Sequence, residues 1–119
     1  MPAPSQLAIA TSSVLRLLKE ELSYHKELVD QEAKVKVLSE KIKAGPKSED
    51  GNDEFMLKQE KLAVEQTQAI FEPLKSRISQ AVSKLEEQLA IGKDSGAPAN
   101  ELEQAQAVLD QAKVINGSS

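Results

Sequence analysis

Apolar residues recur along this chain at helical spacing, in three blocks separated by two stretches rich in Gly, Pro, Asp and Ser. In the first block, steps of three and four give Val14, Leu17, Glu21, Tyr24, Leu28, Gln31, Val35, Leu38 and Ile42. Seven of those nine are apolar or aromatic, which is the narrow seam of a helix facing one other helix. A second line, Leu15, Leu18, Leu22, His25 and Val29, runs beside it and stops at Glu32 and Lys36. The first half of this helix therefore asks for two apolar partners and the second half for one. The helix is expected over about residues 7–43, starting between Ser5 and Ser13. Lys41 and Lys43 complement its C-terminal dipole, Gly45 offers a left-handed stop, and Pro46 cannot continue it.

The second block is more regular. Leu57, Val64, Phe71, Ile78 and Leu85 are spaced by seven without exception, and Leu74, Ala81, Val82 and Leu89 widen the stripe. That predicts a helix over about 54–91, supercoiled left-handedly against a partner, with all five heptad residues buried on one line. A polar turn over 44–53 precedes it, with Asn52 or Asp53 as N-cap. Pro73 lies inside this helix, removes the hydrogen bond to the Ala69 carbonyl and costs about 3 kcal/mol unless the helix bends. Because the heptad continues on both sides, a kink is expected there and not a break.

Gly92 opens a linker over 92–99, and Asn100 with Glu103 forms a capping-box pattern for a third helix over about 100–116. Its apolar face is Leu102, Ala105, Val108, Leu109, Ala112 and Ile115. The expected fold is one all-α domain over residues 1–119 without strands. It is an antiparallel, left-handed three-helix bundle, spectrin-repeat-like, with two long helices and a shorter third. The short third helix leaves one end thinned to a two-helix hairpin.

Composition narrows what such a bundle can do. Among 119 residues there are one Tyr, two Phe and no Trp, so aliphatics and Ala make the core. The net charge of −4, without an Arg-rich face, argues against nucleic acid. No apolar run approaches the ~18 residues of a membrane span, and no signal-peptide pattern opens the chain. The absence of Cys excludes disulfides and thiol chemistry, which suits a cytoplasmic setting. A single His rules out a two-His metal site, and the position three before His25 is Leu22, where a bundle di-metal motif needs Glu. No phosphate loop or nucleophile triad is present, so neither catalysis nor a metal or cofactor is expected. His25 reads as a partly buried histidine at a helix interface, and Tyr24 and Phe71 read as core residues. Lys34, Lys36, Lys41, Lys43 and Lys47 face one acid, Glu40, over residues 34–47. They read first as a solvated face, and otherwise as a docking strip for an acidic partner.

The order Arg16-Leu17, Lys19-Glu20, Tyr24, Lys26-Glu27, Gln31-Glu32 resembles the tubulin-binding cofactor A family of tubulin-folding chaperones. Lys58-Gln59-Glu60 resembles the family's Lys-Gln anchor after the first turn, and a mid-helix proline and the late Ala107, Val108, Leu109, Ala112-Lys113 extend the likeness over nearly the whole chain. Pro73 falls about two residues later than the family's proline, and Ala69-Ile70-Phe71-Glu72 replaces the usual Met/Leu-rich approach to it. The resemblance implies a cytoplasmic, cytoskeleton-associated chaperone. It would capture β-tubulin released from the cytosolic chaperonin and pass it toward heterodimer assembly without hydrolysing nucleotide, as a monomer or homodimer. It also implies partner contacts at Lys19, Lys26 and Lys58, beside the strip Lys34, Lys36, Lys41 and Lys43. Two other readings fit a helical chain. One is a generic interaction module of the spectrin-repeat or syntaxin N-terminal type, which predicts more aromatics. The other is a prefoldin-like subunit, which needs strand hairpins that residues 45–54 lack.

Overall fold

The structure is a computed structural model that describes residues 5–45 and 51–117. Three helices, α1 (Gln6–Ala44), α2 (Asn52–Ser95) and α3 (Ala99–Gly117), make up nearly all of it, and there is no strand among the described residues. The chain divides into two compact units, one of residues 1–20 with 74–119 and one of residues 21–73.

The first unit contains the start of α1, the second half of α2 and all of α3. Ser5 caps α1: its carbonyl accepts the Ile9 N–H at 3.0 Å and its Oγ accepts the Ala8 N–H at 3.0 Å. The Ser5 hydroxyl in turn donates to the Glu101 carboxylate at 2.6 Å, tying the first turn of α1 to that of α3. All thirteen buried hydrophobic residues among the described ones lie in this unit. Leu7, Ala10, Val14, Leu17 and Leu18 come from α1, Leu74, Ile78, Leu85 and Leu89 from α2, and Ala105, Val108, Leu109 and Ala112 from α3. With three helices present, each can be covered on two sides, which is what the double line at the start of α1 requires.

The linker departs from expectation. Gly92 does not end α2. The helix runs on to Ser95, and Gly96, at φ +76°, is the residue that turns the chain. The Ala97 N–H reaches back to the Gly92 carbonyl at 2.9 Å, closing a Schellman cap. Gly92 is buried, and a Cβ there would stand 3.2 Å from Leu7 Cδ2 and 3.4 Å from Leu102 Cδ2. It is glycine because three helices meet around it. The third helix also starts earlier than the capping-box pattern suggests. The Pro98 carbonyl takes the first bonds, from Glu101 and Leu102, and Asn100 is exposed within the first turn.

The second unit is a two-helix hairpin. Cross-helix pairs place Gln31 against Thr67 and Lys41 against Asp53, so α1 and α2 run antiparallel here. Gly51 stands at the cap of α2: its carbonyl accepts the Phe55 N–H at 3.1 Å and its φ of +68° only glycine adopts freely, so Asn52 and Asp53 lie inside the first turn and not at the cap. Gly45, by contrast, has no left-handed φ, so α1 ends without the expected glycine stop, and Pro46 lies outside the described residues.

The seam of α1 faces as its spacing requires: Tyr24, Leu28, Gln31, Val35, Leu38 and Ile42 are all half-buried. None is fully enclosed, because two helices cover each other on one side only. The same limit corrects the heptad reading of α2. Ile78 and Leu85, in the first unit, are buried, whereas Leu57, Val64 and Phe71 are half-buried. In the hairpin the only fully buried side chains among the described residues are polar, Glu21 and Thr67. Thr67 sits three positions after Val64 on the heptad and donates its hydroxyl to Gln31 Oε1 at 2.7 Å.

Candidate protein-binding surface

Among the described residues, six of the nine large hydrophobic side chains that stand exposed belong to the hairpin: Leu22, Val29, Val37, Phe55, Met56 and Leu62. Leu22 and Val29 were expected to be covered as part of a second apolar line on α1, and they are 62% and 63% exposed. The cover along that line ends at Leu18, one turn earlier than Leu22. His25, on the same line, is exposed and not part-buried, and its ring stacks on Phe71 with centroids 4.4 Å apart and planes 26° from parallel. That contact shields one face of Phe71 at the rim of the helix pair.

Among the described residues the hairpin has shallow grooves where α1 and α2 meet, one on each flank, besides a hollow on α1 at His25, Lys26, Val29 and Asp30. One is lined by Glu32, Val35 and Lys36 of α1 and Lys61, Val64 and Glu65 of α2, with a volume of about 420 Å³. The other, about 460 Å³, is lined by Ala33, Lys34, Val37, Leu38, Met56 and Glu60. Both have apolar floors and charged rims, the chemistry of a protein-binding groove more than of a small-molecule cavity.

Charge is divided between the units. The hairpin stretch carries eight Lys against twelve Asp and Glu, which is the whole net charge of −4, and the remainder of the chain is neutral with seven of each. Of the lysines singled out by sequence, Lys47 lies outside the described residues and the others are placed as follows. Lys26, Lys34, Lys36, Lys41, Lys43 and Lys58 are in the hairpin and exposed, while Lys19 is exposed in the other unit. Lys34 and Lys36 line opposite grooves, so they do not form one continuous strip. Lys41 bonds to Asp53 at 3.5 Å, bridging the two helices near their turn, and so is partly engaged within the hairpin. Pro73 is exposed and α2 is helical through it, with the division between the units falling between Pro73 and Leu74. Tyr24 and Phe71 pack half-buried in the hairpin. Among the described residues no cluster of three or more His, Cys, Asp or Glu is arranged to hold a metal, and no helix is long and apolar enough to cross a membrane.

The hairpin thus leaves apolar positions half-bare, whereas the other unit has a closed core. Comparison with known families meets this geometry. The family model for tubulin binding cofactor A matches residues 2–109. The chain belongs to the tubulin binding cofactor A family. It is 32% identical over 113 residues to the mouse protein named tubulin-specific chaperone A, covering 95% of each chain. No solved structure matches it significantly.

Sequence reasoning missed two features of this surface and one of the other unit. Thr67 was passed over because a polar residue at a heptad position carries no apolar signal, although its place three residues after Val64 marks it. The bareness of Leu22 and Val29 depends on where cover along that line of α1 ends, which periodicity in α1 cannot report. The close packing at Gly92 was hidden because a glycine near a helix end reads as a stop.

Proposed function

We propose that this protein is a tubulin chaperone that captures β-tubulin after its release from the cytosolic chaperonin and passes it toward assembly with α-tubulin. The observation that carries this reading is membership of the tubulin binding cofactor A family along nearly the whole chain, together with a hairpin that leaves its apolar residues bare. Such a protein acts by binding alone. It shields client surface that would otherwise aggregate and releases it when the next partner competes, with no bond made or broken. The work is cytoplasmic, where free tubulin subunits meet their partners.

Exposed lysines on the long helices contribute to the encounter. Lys34 and Lys36 stand two turns before the end of α1, where the helix dipole no longer accounts for them. Neither makes a salt bridge with a described residue. Exposed charges act mainly on association rate and are screened over about 8–10 Å at ordinary ionic strength. Lys34→Glu with Lys36→Glu is therefore expected to slow association and flatten its salt dependence, with melting nearly unchanged. Lys19, Lys26, Lys41, Lys43 and Lys58 act in the same way and more weakly.

The test is co-elution in gel filtration with isolated β-tubulin and, separately, α-tubulin. Retention of β-tubulin alone is the expected result. Retention of neither sinks the chaperone reading, and equal retention of both sinks its β-specificity.

A further inference from the structure

Along α1, Thr11 and Leu18 are 8% and 3% exposed, but the same helical line continued gives Leu22 and Val29, more than half exposed, and then Glu32 and Lys36. From Leu22 onward a line that is covered in the three-helix unit is bare. In the hairpin that line leads onto the groove floored by Val35 and Val64, both half-buried.

The rim of this groove is ordered. Because Gln31 faces Thr67 in an antiparallel pair, Glu32 of α1 stands at the level of Glu65 of α2. One turn nearer the connecting turn, Lys36 stands at the level of Lys61. Each helix thus presents an acid and a base four residues apart, with the two acids at one level and the two bases at the next. An α-helix laid in the groove repeats its side chains at the same four-residue interval, so it can answer both levels at once.

We propose that this groove seats an amphipathic helix of the client protein. The seated helix places an apolar side chain between Val35 and Val64, a Lys or Arg against Glu32 and Glu65, and an Asp or Glu against Lys36 and Lys61. The acidic position lies nearer the α1–α2 turn, so the charge pattern fixes the direction of the bound helix as well as its register. The chain's own third helix is not available for this seat, since Ala105, Val108, Leu109 and Ala112 are already buried in the other unit. A second copy is disfavoured by charge, because two hairpins would bring −4 against −4. The opposite groove lacks the two-level rim, having one Lys and one Glu.

This inference rests on the chaperone reading and is tested with β-tubulin as the probe. Glu32, Lys36, Lys61 and Glu65 are all exposed, so reversing them leaves folding intact, which helicity and melting would verify. Glu32→Lys with Glu65→Lys, and separately Lys36→Glu with Lys61→Glu, are each expected to weaken β-tubulin binding about tenfold or more, by placing like charges across the contact. Glu87→Lys with Glu103→Lys, in the other unit, is expected to leave it unchanged. Wild-type binding with no loss in either groove reversal overturns the inference and leaves the chaperone reading standing. Failure of the wild type to bind removes both. Sedimentation equilibrium decides the remaining alternative: a wild-type dimer that the reversals dissolve would assign the groove to a second copy and overturn the proposal. Since the chain has no Cys, a photo-cross-linker on Lys36→Cys can also recover the seated segment. A recovered β-tubulin segment without a base and an acid four residues apart would equally overturn it.

Discussion

The two units use the same two helices to opposite ends. In one, α1 and α2 are joined by α3, thirteen hydrophobic side chains are closed off from water, and the net charge is zero. In the other, α1 pairs with α2, no hydrophobic side chain among the described residues is fully buried, and the charge is −4. Burial of apolar area is the main source of stability, so the three-helix unit is expected to hold the fold. The hairpin, with little enclosed core, is free to commit its surface to another protein. On the proposed reading, capture and stability fall in different stretches of the same helices, so one can vary without the other.

The largest expected effect tests that division directly. Leu85 is completely buried in the three-helix unit and Leu57 is half-buried on the same heptad line in the hairpin. Leu85→Ala should cost about 3–5 kcal/mol in urea denaturation, through lost transfer energy and a cavity that cannot fully collapse. Leu57→Ala should cost about 1–2 kcal/mol, since part of that side chain is already wet. Phe71→Ala, half-buried beneath His25, should fall between them. Equal costs for Leu85 and Leu57 would mean that the hairpin is as enclosed as the bundle, and the comparison would collapse.

Pro73 comes next. The first unit resumes at Leu74, so the proline marks the change from two helices to three. Proline in a helix interior is about 3 kcal/mol less favourable than alanine, and Pro73 is exposed, so no packing is lost with it. Pro73→Ala should therefore raise stability by about 1–3 kcal/mol and supply a donor for the Ala69 carbonyl. If the residue is kept because it bends α2 to shape the capture surface, the same variant should bind β-tubulin more weakly while melting higher. Higher melting with undiminished binding would separate the proline from function.

A smaller effect belongs to the end of α2. Gly96 is left-handed, and a Cβ there meets nothing within 4 Å, so only backbone strain opposes a side chain. Gly96→Ala should cost about 1–2 kcal/mol, which thermal melting can resolve. No loss would mean that the Schellman cap joining α2 to α3 contributes little to the closed unit.

Much of this was legible in the residues. The three helices and the main seam of α1 follow from period alone, because a helix that must bury a face has to space its apolar residues to do so. Where the cover of the second line stops does not follow from period: the spacing carries it to Val29, and it ends at Leu18. The family likeness was legible in the first-helix block. Depth of burial was less accessible: Leu57, Val64 and Phe71 repeat as faithfully as Ile78 and Leu85, yet spacing says which way a residue faces and nothing about how many neighbours await it. Helix ends were misplaced where one glycine signal served several geometries. Gly92 packs inside a helix, Gly96 turns the chain, Gly51 starts a helix and Gly45 keeps an ordinary backbone. The two-level rim of the groove required the register between α1 and α2, and the contact that reports it, Gln31 with Thr67, is a pair no apolar pattern contains.

That pair carries the subtlest prediction. A hairpin with a half-wet seam has little in its packing to oppose a slip of one helix past the other. A single buried polar contact can resist slippage, because moving the helices by a turn would strand both groups without partners. Thr67→Val keeps the volume but removes the donor, and should cost about 0.5–1.5 kcal/mol with the Gln31 amide left half-buried. Replacing both, Gln31→Leu with Thr67→Val, removes the unsatisfied group and adds apolar contact, so stability should return to the wild-type value or exceed it. Register would suffer instead. The double variant should therefore melt as well as the wild type yet bind β-tubulin less tightly, because Glu32 would no longer be held level with Glu65. Undiminished binding in the double variant would show that the seam's apolar residues hold the register unaided, and that Thr67 serves stability alone.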